Sequence, residues 1–79
     1  MIIEIKIPSI FRRELPKSNT NRGGDTWEIP EGSTVAQVLK ILNLSEEGKV
    51  FLINSRQADK QRVLNEGDVL AIFPPIAGG

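Results

Sequence analysis

The sequence predicts an α+β domain in which one mixed sheet of four to five strands carries a single main helix across one face. Three observations lead there. In Ile3-Glu4-Ile5-Lys6-Ile7 the apolar residues alternate with charged ones, the period of a half-buried strand. Val35, Val38, Leu39 and Leu42 recur at the spacing that lines one face of a helix. Two later apolar runs, residues 49–54 and 69–73, have strand length and no helical spacing.

The elements follow in order. Pro8 ends the first strand, because it cannot donate to a sheet ladder. Residues 9–25 lose the periodicity, and the polar stretch around Gly23-Gly24 reads as a mobile loop tip. Thr26-Trp27-Glu28-Ile29 resumes an extended pattern and is expected to pair back on the first strand as a long-looped hairpin, closed by Pro30. Thr34 followed by Gln37 fits a capping box, so a helix of about ten residues should begin there and end near Asn43. Residues 49–54 read as a central strand covered on at least one face. Residues 55–62 are polar and read as a turn with a loose crossing segment. Val63-Leu64 reads as a short strand end, Gly67 supplies a positive φ to the turn after it, and the final strand stops at Pro74-Pro75. Hairpin, helix, strand, short element and strand give the outline of a β-grasp domain occupying residues 1–79, with 74–79 expected to be a flexible tail.

Composition removes many chemistries. With 79 residues and no cysteine or histidine, the chain has no thiolate, disulfide or imidazole base, and no metal site is expected. Ten basic and ten acidic side chains leave no net field toward nucleic acid or an anionic membrane. No run approaches a membrane span and the first residues do not form a signal peptide, so a cytoplasmic location is expected. Glu66 and Asp68 beside Gly67 suit a turn better than acid–base work. Residues 19–24 lack the lysine and following helix of a phosphate loop. Arg12-Arg13 reads as a solvated turn and Trp27 as core. Phe73, where sheet gives way to tail, fits a structural core or sheet-face residue and a docking residue equally.

The last residues carry the functional signal. Gly67-Asp68 followed by Phe73-Pro74-Pro75-Ile76-Ala77-Gly78-Gly79 closely resembles the end of the MoaD/ThiS family of ubiquitin-like sulfur carriers. The resemblance extends more weakly to residues 31–35 and the first strand. It implies a carrier, not an enzyme, whose Gly79 carboxylate is adenylated and thiocarboxylated, with Gly78, Ala77, Ile76, Pro75, Pro74 and Phe73 contacting partners. It also implies a ubiquitin-activating-type adenylyltransferase that uses ATP, a sulfur donor system and a synthase large subunit, with no cofactor bound to the carrier itself. The Phe-Pro-Pro form looks more like the molybdopterin branch than the thiazole branch, whereas Ile7-Pro8-Ser9-Ile10-Phe11-Arg12-Arg13 departs from the molybdopterin pattern and looks somewhat like carriers that feed cysteine synthesis. Thiazole synthesis, protein modification and a non-covalent interaction module are the other expectations that remain open.

The tail's residue types suit that chemistry. An α-carboxylate with a pKa near 3.5 is ionised at neutral pH, and a tip without Cβ atoms passes a narrow channel. Ordering the six residues 74–79 costs roughly 6–12 kcal/mol of backbone entropy, whereas burying Phe73 and Ile76 returns about 1.5–3 kcal/mol each. The body is therefore expected to dock through an exposed sheet face, with main-chain hydrogen bonds and ATP supplying the rest.

Overall fold

A computed structural model describes residues 1–8, 11 and 21–74. The strands are β1 (Ile2–Lys6), β2 (Asn21–Gly23), β3 (Thr26–Glu28), β4 (Val50–Ile53), β5 (Arg56–Ala58) and β6 (Val69–Phe73), and the helix is α1 (Val35–Ile41). The sheet order is β2-β3-β1-β6-β4-β5. β1 and β6 run parallel at its centre, and the other neighbours are antiparallel. This is the expected mixed sheet with one main helix packed across one face. It has six strands instead of four to five because two three-residue strands extend its edges.

β1 behaves as its alternation requires. Ile3 and Ile5 are buried while Glu4 and Lys6 face out, and Ile3 lies opposite Trp27 in the antiparallel pair with β3. Trp27 is core, as expected. The loop between these strands is not irregular throughout, since β2 pairs on β3 across a register shift at Asn21/Gly23. Gly24, at φ 54°, and Asp25 make the turn between β2 and β3, while residues 17–20 of the expected mobile tip, and Arg12-Arg13, lie outside the described residues.

The capping box is present. The Gln37 amide donates to Thr34 Oγ1 at 3.3 Å, and the Thr34 amide donates to Gln37 Oε1 at 2.8 Å. Two further N–H groups of the first turn, Val35 and Ala36, donate to the carbonyls of Arg62 and Lys60 at 3.0 and 2.8 Å, so the loop after β5 closes the helix start. α1 has seven residues, shorter than expected. Asn43 takes φ 59°, the Leu44 amide donates to the Leu39 carbonyl at 2.9 Å and the Asn43 amide to Lys40 at 3.1 Å. That is a Schellman ending with asparagine in place of glycine, and it buries Leu44.

The core lies between α1 and one sheet face. Val35, Val38, Leu39 and Leu42 meet Ile5, Phe51, Leu70 and Ile72 in one buried cluster. β4 reads as a continuous apolar run yet has one face only half-buried, because α1 covers just one side of the sheet. Val63 makes a single bridge to Thr34 instead of a strand, and Leu64 is fully buried beside it. Residues 55–62 contain β5, which the polar sequence did not announce. β4 and β5 are joined through Asn54 and Ser55, both at positive φ (52° and 70°), the geometry of a two-residue hairpin turn.

Candidate functional site: the end of the central strand

β6 is held on both sides. Leu70 pairs across from Ile5 on β1 and from Ile53 on β4, and Ala71 from Lys6 and Leu52. Its start is fastened as well. Asn54 Oδ1 accepts from the Val69 amide at 3.0 Å, and Asn54 Nδ2 donates to Asp68 Oδ1 at 2.9 Å. Asp68 Oδ2 accepts from the Asn65 amide at 2.7 Å, the Gly67 amide donates to the Ile2 carbonyl at 2.9 Å, and both Glu66 oxygens accept from the Ile2 amide at 3.1 Å. Gly67 has the expected positive φ, 82°. The Asp68 carboxylate thus closes its own turn and ties it to Asn54, and the Glu66 carboxylate fastens that turn to β1, as the turn reading requires.

At its other end β6 splits its side chains between two environments. Leu70 and Ile72 point into the core, while Phe73 is 45% exposed on the opposite face. Register places Phe73 across from Val50, and Ala71 across from Leu52, so half-buried apolar side chains form a continuous patch on the uncovered face. Phe73 is thus an exposed sheet-face residue and not a core one. A sheet face left uncovered by the helix, of the kind the expected docking would use, is therefore present.

Beside the patch lies a shallow hollow of about 350 Å³ lined by Lys6, Ile7, Pro8, Asp25, Ile72, Phe73 and Pro74. Its walls are mostly apolar, with one cation at the rim that makes two ion pairs: Lys6 Nζ lies 3.2 Å from Asp25 Oδ2 and 3.6 Å from Glu4 Oε2. The hydrogen bond to Asp25, the Asp25 charge and then the Glu4 charge hold the Lys6 ammonium above its usual pKa. Of the residues expected to act, Phe73 and Pro74 border this hollow, and both are exposed. Pro75, Ile76, Ala77, Gly78 and Gly79 lie outside the described residues.

Among the described residues no cluster of three or more acidic, histidine or cysteine side chains is placed to hold a metal ion, and no helix is long and apolar enough to cross a membrane. What this end of the sheet offers is a rigid strand leading to Phe73-Pro74, an apolar patch and a hollow beside the exit.

The ThiS family model matches residues 12–79. In solved structures, the chain is similar to the HVO 2177 protein of Haloferax volcanii, with 26% identity and a TM-score of 0.71 over all of this chain and 87% of that one. It is similar to small archaeal modifier protein 1 of H. volcanii, at 20% identity and TM-score 0.67 over 95% of this chain and 98% of that one. A third match is to a chain of the Helicobacter pylori complex of subunits 1 and 2 of molybdopterin-converting factor, at 19% identity and TM-score 0.59 over the whole of both chains. At the identities of the latter two, the likeness is one of fold.

Proposed function

The chain belongs to the ThiS family of ubiquitin-like sulfur carriers, and from that premise we propose that Gly79 carries sulfur as a C-terminal thiocarboxylate, donated for molybdopterin synthesis. The observation that carries the proposal is that the family match runs through the whole terminal stretch, 73–79, which continues directly from a central strand ending in an exposed phenylalanine.

The chemistry divides between body and tip. A Gly79 carboxylate oxygen attacks the α-phosphorus of ATP on the activating enzyme, pyrophosphate leaves, and an acyl-adenylate forms. A sulfide-equivalent nucleophile from the sulfur donor system then displaces AMP at the same carbonyl carbon, leaving the thiocarboxylate. The body contributes no reacting group in this scheme. It holds β6 in register and presents Phe73, Val50, Leu52 and Ala71 as the surface on which the adenylyltransferase, and then a synthase large subunit, seats. Gly78 and Gly79 give clearance in the partner's channel, and Pro74 to Ala77 steer the approach.

The molybdopterin branch rests on the Phe-Pro-Pro-x-x-Gly-Gly terminus. A second reading, a protein modifier, draws on the likeness to small archaeal modifier protein 1. Intact-mass analysis after incubation with the cognate activating enzyme, ATP and a sulfur source tests the carrier role. The gain expected for replacing one oxygen by sulfur supports it, and an unchanged mass with an enzyme of verified activity refutes it. High-mass conjugates that vanish on deleting Gly79 would favour the modifier. Adding the thiocarboxylated protein to a pterin precursor and synthase large subunit tests the branch.

A further inference from the structure

A second hollow, of about 460 Å³, lies at the far edge of the sheet and is lined by Ile53, Asn54, Arg56, Gln57, Ala58 and Arg62. Unlike the hollow at the β6 exit, it is mostly polar, and its two charged side chains are both arginines. Neither guanidinium makes an ion pair or hydrogen bond among the described residues. The acids nearby are already engaged. Asp59 Oδ1 accepts from the Gln61 amide at 2.8 Å, Glu46 pairs with Lys60 at 3.2 Å, and Asp68 is held by Asn54 and the Asn65 amide.

The backbone alongside is also unsatisfied. β5 is the last strand of the sheet and pairs only with β4. In a hairpin with a two-residue turn, the residues flanking the turn face each other as a hydrogen-bonded pair, here Ile53 and Arg56, and the next pair does not. The N–H and C=O of Gln57 therefore point away from β4 toward open solvent. An outward main-chain donor and acceptor beside two unanswered guanidinium groups match an extended chain bearing carboxylates.

We propose that the β5 edge and the Arg56–Arg62 hollow bind an extended, carboxylate-rich segment of a protein partner, which pairs with Gln57 and places its acidic side chains on the two arginines. A nucleic acid fits less well, because the hollow holds two cations and Lys60, in the same loop, is already paired with Glu46, leaving no row of cations to follow a phosphate backbone. Ile53 and Phe73 stand at opposite ends of the β4–β6 ladder, about 10 Å apart along the strand. The hollow shares no lining residue with the one at the β6 exit, and the site stands whether or not Gly79 carries sulfur.

The test is a titration of the 15N-labelled full chain with acetyl-Glu-Val-Glu-Val-Glu-amide, followed by NMR. Saturable shifts are expected at the Gln57 and Ala58 amides and at the Arg56 and Arg62 Nε–H groups. Arg56→Gln and Arg62→Gln should each weaken binding up to about fivefold, the scale of an exposed ion pair. Both side chains are exposed, and unchanged melting of the variants verifies that they fold. The proposal is overturned if the peptide gives no shifts at concentrations on the order of millimolar, or if acetyl-Lys-Val-Lys-Val-Lys-amide shifts the same residues equally. It is also overturned if the double variant binds as the parent does, if inorganic phosphate reproduces the Gln57 and Ala58 shifts, or if oligothymidine binds more tightly than the acidic peptide.

Discussion

Ile72 and Phe73 are adjacent on β6 and face opposite sides of the sheet, so truncating each separates folding from docking. Ile72 is 1% exposed within the core, and Ile72→Ala removes three buried carbons and leaves a cavity, a loss of about 2–5 kcal/mol. Phe73 is 45% exposed, so little more than half of its surface is covered by the protein itself. Taking about 1.5–3 kcal/mol for a fully buried side chain, Phe73→Ala should lose roughly 1–1.5 kcal/mol of stability. The uncovered part is what a partner can still bury. Its removal should weaken binding by roughly 1 kcal/mol or somewhat more, about fivefold to tenfold. Urea denaturation gives the stability of both variants, and calorimetric titration against the cognate activating enzyme gives the affinity of Phe73→Ala. Equal destabilisation by the two substitutions, or parent-like affinity of a folded Phe73→Ala, would show that Phe73 is not a docking residue.

Two other substitutions test how the strand is held. Asn54→Ala removes the bonds to the Val69 amide and Asp68 and puts alanine at φ 52°, so it should cost about 2 kcal/mol and lower the melting temperature by roughly 8–16 °C. Asn54→Gly should lose only the hydrogen bonds, and identical melting of the two variants would contradict the left-handed assignment. Lys6 has a raised pKa in the folded state, so its ion pairs contribute fully below its unfolded value near 10.5 and are lost as pH rises through the higher folded value. Lys6→Met should therefore show a shallower loss of stability above that pH than the parent. Parallel curves would mean the Asp25 pair adds nothing.

The parts of the fold that could be read from the chain are those in which one physical requirement sets the residue pattern. β1 and β6 are half-buried, so their side chains alternate, and α1 packs one face, so its apolar residues recur at helical spacing with Thr34 and Gln37 at its start. β5 gave no such signal. Arg-Gln-Ala has no apolar alternation because an edge strand buries little, and its turn uses Asn54-Ser55 without the glycine that usually marks a hairpin. The helix ended early for a related reason, since Asn43 does the work of a terminal glycine. Phe73 was ambiguous in sequence because hydrophobicity does not specify a face, and only its register opposite Val50 settles that it faces outward. The Arg56–Arg62 hollow was invisible because its residues are separated by a polar stretch that reads as a turn. Gly78 and Gly79 were legible through their motif alone, independent of any packing.

ATP–pyrophosphate exchange catalysed by the cognate activating enzyme measures the division of labour between body and tip in one assay. The full chain should support exchange, and the chain lacking Gly78 and Gly79 should support none while still competing with the full chain at a comparable concentration. Exchange that survives the deletion, or a truncated chain that fails to compete although folded, would contradict a docking body that serves a reactive terminus.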